Sequence, residues 1–206
     1  MPTCLADRGD GSRAVPVGRR YGSRMTRLDP TKTWRKVEAR LETETSPRRR
    51  QLLENVLAHM KAEAAADIPG LMATLAPDPQ YHQWGATPGD FGPKGRPAVE
   101  QFYKDFAASG ATNLEYDVER LVVDDDCIVT EGMMRIAYPG ATLQAIGRDD
   151  VDDPEAYYLY EARMAVFWPY DADGLLLAED ACTATDGFEG LRKLNPDELP
   201  EALVGT

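Results

Sequence analysis

The order of residues predicts an α+β domain. Three observations carry that expectation. Apolar residues recur at helical spacing through residues 46–66 and again through 98–107, they alternate with polar residues at period two from Asn113 onward, and one short aromatic stretch, Tyr81–Trp84, stands between the two helical stretches. Helices first and strands after is the pattern of helices packed on one face of a mainly antiparallel sheet.

Taken in order, Trp34, Val37 and Leu41 place one apolar edge on a short helix within 31–45. Ser46 followed by Pro47 is a helix start, because proline's missing N–H costs nothing at the first helical position. The helix it opens carries Leu52, Leu53, Val56, Leu57, Met60 and Ala64 on one stripe. Asp67 caps a shorter helix that Pro77 and Pro79 end. The run from Gly85 to Pro97 is too rich in Gly and Pro for regular structure and reads as a surface loop. Val99, Phe102, Tyr103 and Phe106 then share one helical face. Strands follow at 114–122, 127–138 and 157–168, with a shorter apolar piece at 141–146 and a last strand at 175–184. The reading divides the chain into an N-terminal extension without structure (1–30), a short helix and linker (31–45), one domain (46–195) and a loose tail (196–206). Met25 is an alternative start to Met1, and both readings stay open here.

Composition narrows the function classes. A chain of 206 residues with a net charge of −12 carries 13 Lys/Arg against 6 Asp/Glu in its first 50 residues, so the remainder is strongly acidic. An acidic body repels phosphate backbones, which argues against nucleic acid as a partner. No run of about 18 apolar residues exists, which argues against a membrane span. The three cysteines, Cys4, Cys127 and Cys182, have no metal-ligand spacing, and a reducing cytoplasm is expected. Phosphate-binding glycine loops, the serine-hydrolase elbow and the paired-histidine zinc motif are missing, and the acidic loop 149–155 lacks the spacing of a calcium loop. Neither a cofactor nor a metal is expected.

Three separated motifs resemble the nuclear transport factor two-like superfamily, which includes ketosteroid isomerase and the SnoaL-like polyketide cyclases. They are Asp67 through Leu75, the aromatic segment Tyr81–Trp84, and Gly95 through Tyr103, with the closing hairpin Phe167–Leu176 matching as well. The resemblance implies a cone of about three helices and a curved sheet around an apolar pocket, often paired as a homodimer. It implies an apolar, ring-containing ligand and acid/base chemistry without a cofactor: cyclisation, isomerisation or dehydration. The same fold also serves as a non-catalytic ligand-binding or dimerisation module, so function has to be argued from the site.

The candidates for that chemistry are His82, Asp180 and His59. His82 lies on the aromatic strand, with an imidazole that titrates near working pH. By the resemblance, the isomerase's base falls on Gln83, which cannot take a proton, and its oxyanion-stabilising tyrosine falls on His59. Helical geometry sets His59 about 100° from the centre of its apolar stripe, which favours a boundary position. Glu63, one turn on, either orients His59 or is a solvated charge. Asp180 shares alternate positions with Leu176, Ala178 and Cys182, which points to a half-buried carboxylate, while the reverse assignment to Glu179 stays open. Tyr81, Trp84, Tyr103, Met134, Tyr158 and Tyr160 are the expected ligand contacts.

Overall fold

The computed structural model describes residues 27–85 and 88–204. The extension before Arg27, with Cys4 and Met25, lies outside the described residues, as do Ala86 and Thr87 of the rim loop.

Five helices and six strands follow one another: α1 (Lys32–Thr43), α2 (Pro47–Ala64), α3 (Ile68–Ala73), β1 (Gln83–Trp84), α4 (Arg96–Ala108), β2 (Leu114–Val123), β3 (Cys127–Pro139), α5 (Gly140–Ala145), β4 (Tyr157–Pro169), β5 (Asp180–Thr183) and β6 (Arg192–Lys193). The expected α+β class holds, and the helix starts behave as their chemistry dictates. Ser46 Oγ accepts from Arg49 N at 3.4 Å, and Asp67 Oδ1 accepts from Gly70 N at 3.0 Å. Each cap satisfies an amide that has no partner within its helix.

The sheet runs β1-β5-β4-β3-β2, with β6 paired to β4. Its long hairpins are antiparallel, and only β1 runs parallel to β5, with Gln83 opposite Ala181 and Trp84 opposite Cys182. A register shift between Val118 and Arg120 bends β2. Extra residues in one strand sharpen local twist, which helps curl the sheet. Gly132 faces this stretch, where a Cβ would lie 2.1 Å from Asp117 O, so the close approach requires glycine.

The core lies between α1, α2, α3 and α4 and the inner face of the sheet, with Leu52, Leu53, Val56, Tyr81, Val99, Tyr103 and Leu176 excluded from solvent. Four expectations need correcting. Residues 141–146 form most of α5 instead of a strand, because Gly140 N and Ala141 N bond back to Ala156 O and Pro154 O and close a compact corner. The last strand is shorter than expected: regular pairing starts only at Asp180, and Leu176 makes isolated bridges to Leu75 and Tyr170. The tail is packed, since Leu194, Leu199 and Leu203 join Leu28, Ala137 and Leu159 in a second apolar cluster, and Leu28 N donates to Glu198 O at 2.9 Å. The helix read as part of a linker, α1, is likewise built in: Val37 is buried, and Thr33 Oγ1 accepts from Tyr116 N at 3.1 Å.

Candidate functional site

Curling the sheet over α2 and α4 leaves a cavity of about 690 Å³. Its walls come from four places: Glu63 at the end of α2, Phe102 and Phe106 on α4, Met134, Ile136 and Tyr138 on β3, and Tyr160 and Met164 on β4. Strand β1 and the rim loop add Gln83, Trp84 and Phe91, and the segment from Glu179 to Phe188 closes the far side. Alternation explains the strand contributions, since every second residue of β3 and β4 points inward. Apolar and aromatic walls with a few polar groups are the usual make-up of a small-molecule site.

Two of those polar groups are the carboxyls of Glu63 and Glu179, which interact through their charge. Glu63 is half-buried, lines the cavity, and has no hydrogen-bond partner among the described residues. Burial, and then the charge of Glu179, hold its carboxyl well above the usual glutamate range. Glu179 differs, because Tyr103 Oη donates to its Oε2 at 2.9 Å. The two carboxyls therefore differ in their surroundings: Glu179 has a hydroxyl donor and Glu63 has none among the described residues.

Behind Glu179 runs a buried polar chain. Tyr103 Oη lies 2.7 Å from Tyr81 Oη and 2.9 Å from His59 Nε2, and His59 Nδ1 lies 2.8 Å from Thr74 Oγ1. Thr74 donates its only hydroxyl proton to Leu71 O at 2.7 Å, so it accepts from His59, which assigns a proton to Nδ1. His59 Nε2 then faces Tyr103, and it lies 3.7 Å from Glu179 Oε2. Tyr103 is the junction, with three polar neighbours and one proton of its own. Burial raises the Tyr103 and Tyr81 hydroxyls well above the ordinary tyrosine range, with the Glu179 charge adding to it, so both stay protonated.

The structure distributes the expected site residues over three places. Trp84, Met134 and Tyr160 line the cavity. His59, Tyr81 and Tyr103 are buried behind its wall and reach it through Glu179. His59 is fully buried, against the boundary position that its angle on α2 implied, because α1, α3 and the sheet all pack on that helix and widen its covered face. Three residues lie elsewhere. Tyr158 belongs to the cluster around Leu143 and Val151, where its hydroxyl donates to Asp152 Oδ1 at 2.5 Å. His82 and Asp180 are not among the lining residues and form a separate cluster beside Trp84. There His82 stacks on Trp84 at 5.1 Å, its Nδ1 lies 2.6 Å from Asp90 Oδ2 and 2.9 Å from Lys94 Nζ, and its backbone N–H donates to Asp180 Oδ1 at 2.9 Å.

Sequence reasoning passed over the pairing of Glu63 with Glu179. Counting by twos from Leu176 assigned Asp180 inward, but alternation holds only within a paired strand. β5 begins at Asp180, and from there Ala181 and Thr183 line the cavity in phase with Glu179. Glu63 was visible as one helical turn beyond His59, and a carboxylate partner was the missing signal. Phe188 and Asp186 come from an irregular stretch with no period to reveal them.

Residues 56–152 match the model of the SnoaL-like domain. Among solved structures the fold recurs in RV0760c from Mycobacterium tuberculosis, at 16% identity over 73% of this chain and 100% of that one, with a TM-score of 0.50. It recurs in a protein described as a SnoaL-like polyketide cyclase from a Jannaschia species, at 19% identity over 69% and 91% with a TM-score of 0.50. A nuclear transport factor two-like protein from Anabaena variabilis matches at 15% identity over 70% and 96%, again at 0.50. RV0760c is also known in complex with estradiol-17beta-hemisuccinate, in a structure that matches at 18% identity over 64% and 92% with a TM-score of 0.47. No curated protein matches the chain. The family match over residues 56–152 agrees with the expected superfamily, and the three structures at a TM-score of 0.50 bear out the cone fold. No helix among the described residues is long and apolar enough to cross a membrane.

Proposed function

We propose that this chain is a cofactor-independent enzyme that carries out acid/base chemistry on an apolar, ring-containing substrate, with Glu179 as base and Glu63 as acid. The observation that carries the reading is the asymmetry of the two carboxyls. One is hydrogen-bonded by Tyr103 and the other is unpartnered with its carboxyl held well above the usual range, so a base and an acid meet in one apolar cavity.

A ring ketone fits this arrangement. The Glu179 carboxylate takes a proton from the carbon beside the carbonyl, the C–H electron pair moves into a new C=C, and the carbonyl oxygen gains the Glu63 proton. In a β,γ-unsaturated ring ketone, transfer of the proton on Glu179 to the γ-carbon, with the enol O–H proton returned to Glu63, completes an isomerisation. Loss of a β-hydroxyl as water completes a dehydration, and attack of the enol carbon on a second carbonyl completes a cyclisation. The chain Tyr103–His59 holds the Glu179 carboxyl in position. These outcomes share the first step, and that step is the one to test. With 2-tetralone as probe in D2O, the protein is expected to accelerate exchange of the protons beside the carbonyl, and Glu179→Gln to lower the rate by roughly 10²–10⁴-fold. A wild-type rate equal to that of buffer contradicts the reading.

The same proposal places the protein in the cytoplasm, where the free thiols Cys127 and Cys182 remain reduced, and pairs it as a homodimer through the outer face of the sheet. There Val122, Val129 and Phe167 sit side by side across three strands, with Val122 61% and Phe167 41% exposed. Around them lie side chains of both signs, Arg120, Glu131 and Arg163, as a self-complementary face requires. Light scattering should give twice the chain mass, and Phe167→Lys the single mass.

A further inference from the structure

The charge of the cavity narrows the substrate class. Glu63, Glu179 and Asp186 line it, and no Lys, Arg or His is among the described lining residues. Other cations nearby are accounted for. Arg148 is bonded to Asp150 at 2.8 Å, lies over the Phe188 ring at 5.9 Å, and offsets Asp186 from outside. His59 stands behind Tyr103 and touches the cavity only through Glu179. The acidic groups left without a cation on the cavity wall are therefore those of the Glu63–Glu179 pair. Glu63 has no protein partner, so part of its hydrogen-bonding capacity is left for a ligand. The rest of the wall is aromatic, with Trp84, Phe91, Phe102, Phe106, Tyr160 and Phe188 offering ring faces and edges.

An anionic ligand would meet like charge in a poorly solvated space, and a cation would meet a carboxylate and aromatic rings, both of which attract it. We propose that the substrate carries a protonated amine on its ring system, and that this ammonium is the counter-charge of the Glu63–Glu179 carboxyl pair. The inference rests on the proposed function only in placing the ligand in this cavity. The acidic body adds to the effect by drawing cations toward the protein from a distance.

Three probes of one shape test it by calorimetry at neutral pH: 2-naphthylmethylamine, 2-naphthylmethanol and 2-naphthoate. The amine is expected to bind the wild-type protein at least tenfold more tightly than the alcohol, and the carboxylate most weakly. Glu179→Gln is expected to erase the preference for the amine while leaving alcohol binding within about twofold, which also shows that the variant is folded. If the alcohol or the carboxylate binds wild type as tightly as the amine, the inference is overturned while the cavity reading stands. If none of the three binds at millimolar concentration, the inference and the cavity reading fail together. A preference that survives Glu179→Gln, Glu63→Gln and the double change alike overturns the assignment of charge recognition to the pair.

Discussion

Two clusters of nearly the same composition lie beside β5, and they differ in what is left over once their internal bonds are counted. The outer one joins His82, Asp90, Lys94 and Asp180. Asp90 alone accepts from Gln83 N at 3.0 Å, Gly92 N at 3.1 Å and Lys94 Nζ at 2.9 Å, and the Lys94 hydrogen bond holds its carboxyl well below the usual aspartate range. Lys94 also donates to Tyr81 O. Every member is engaged with protein, and the result is a fastening: the rim loop is tied down on β1. Gly92 shows how tightly, since a Cβ there would lie 2.2 Å from Tyr81 O. The inner cluster joins Glu63, Glu179, Tyr103 and His59 and leaves one carboxyl unpartnered at a cavity wall. A histidine and a pair of acids are thus a poor guide to chemistry by themselves. Unused hydrogen-bonding capacity facing a space is the better one.

The largest effect that can break this comparison is catalytic. In the 2-tetralone exchange assay, Asp180→Asn and His82→Ala are expected to stay within about threefold of wild type while Glu179→Gln falls by orders of magnitude. The opposite ranking would return the chemistry to the outer cluster.

A smaller effect, on stability, probes the inner cluster's wiring. Tyr103→Phe deprives Glu179, His59 Nε2 and Tyr81 Oη of a partner each, and unpaired buried groups cost about 1–3 kcal/mol. Urea denaturation should show that loss in midpoint with the slope unchanged. Tyr158→Phe, at a bonded tyrosine away from the cavity, is the matched control for a stability change without an effect on exchange.

The smallest effect is a pH dependence, and its sign follows from Glu63. Its carboxyl is raised on folding, so between the unfolded value and the folded one the native state binds more protons than the unfolded state. Stability contributed by the proton is fully present below the unfolded value of 4.5 and is lost as pH rises toward the folded one. Glu63→Gln removes that slope. Its midpoint relative to wild type should therefore climb between pH 5 and pH 8, and a constant offset would mean that Glu63 titrates as it does in the unfolded chain.

How much of this was legible beforehand depends on whether a residue obeys a period. Ser46, Asp67, the three long strands and the α4 face were readable because capping and alternation are local rules. Glu179 and Asp180 are neighbours, and which one faces inward turns on where β5 begins, a fact set by its pairing with β4 between Phe167 and Met164. His59 was judged from one helix, whereas its burial is decided by the elements stacked on that helix. The pairing of Glu63 with Glu179 joins residues far apart in the chain with no spacing to betray them.

The central claim is that burial, and then the charge of Glu179, hold the Glu63 carboxyl well above the usual glutamate range. Carbon-13 labelling of the glutamate carboxyls, with Glu63 assigned by loss of its signal in Glu63→Gln, gives its titration directly. The account predicts a Glu63 midpoint well above the ordinary glutamate value near 4.3 that moves down when Glu179 is replaced by Gln. A Glu63 signal that titrates near that ordinary value, unchanged by Glu179→Gln, would contradict it.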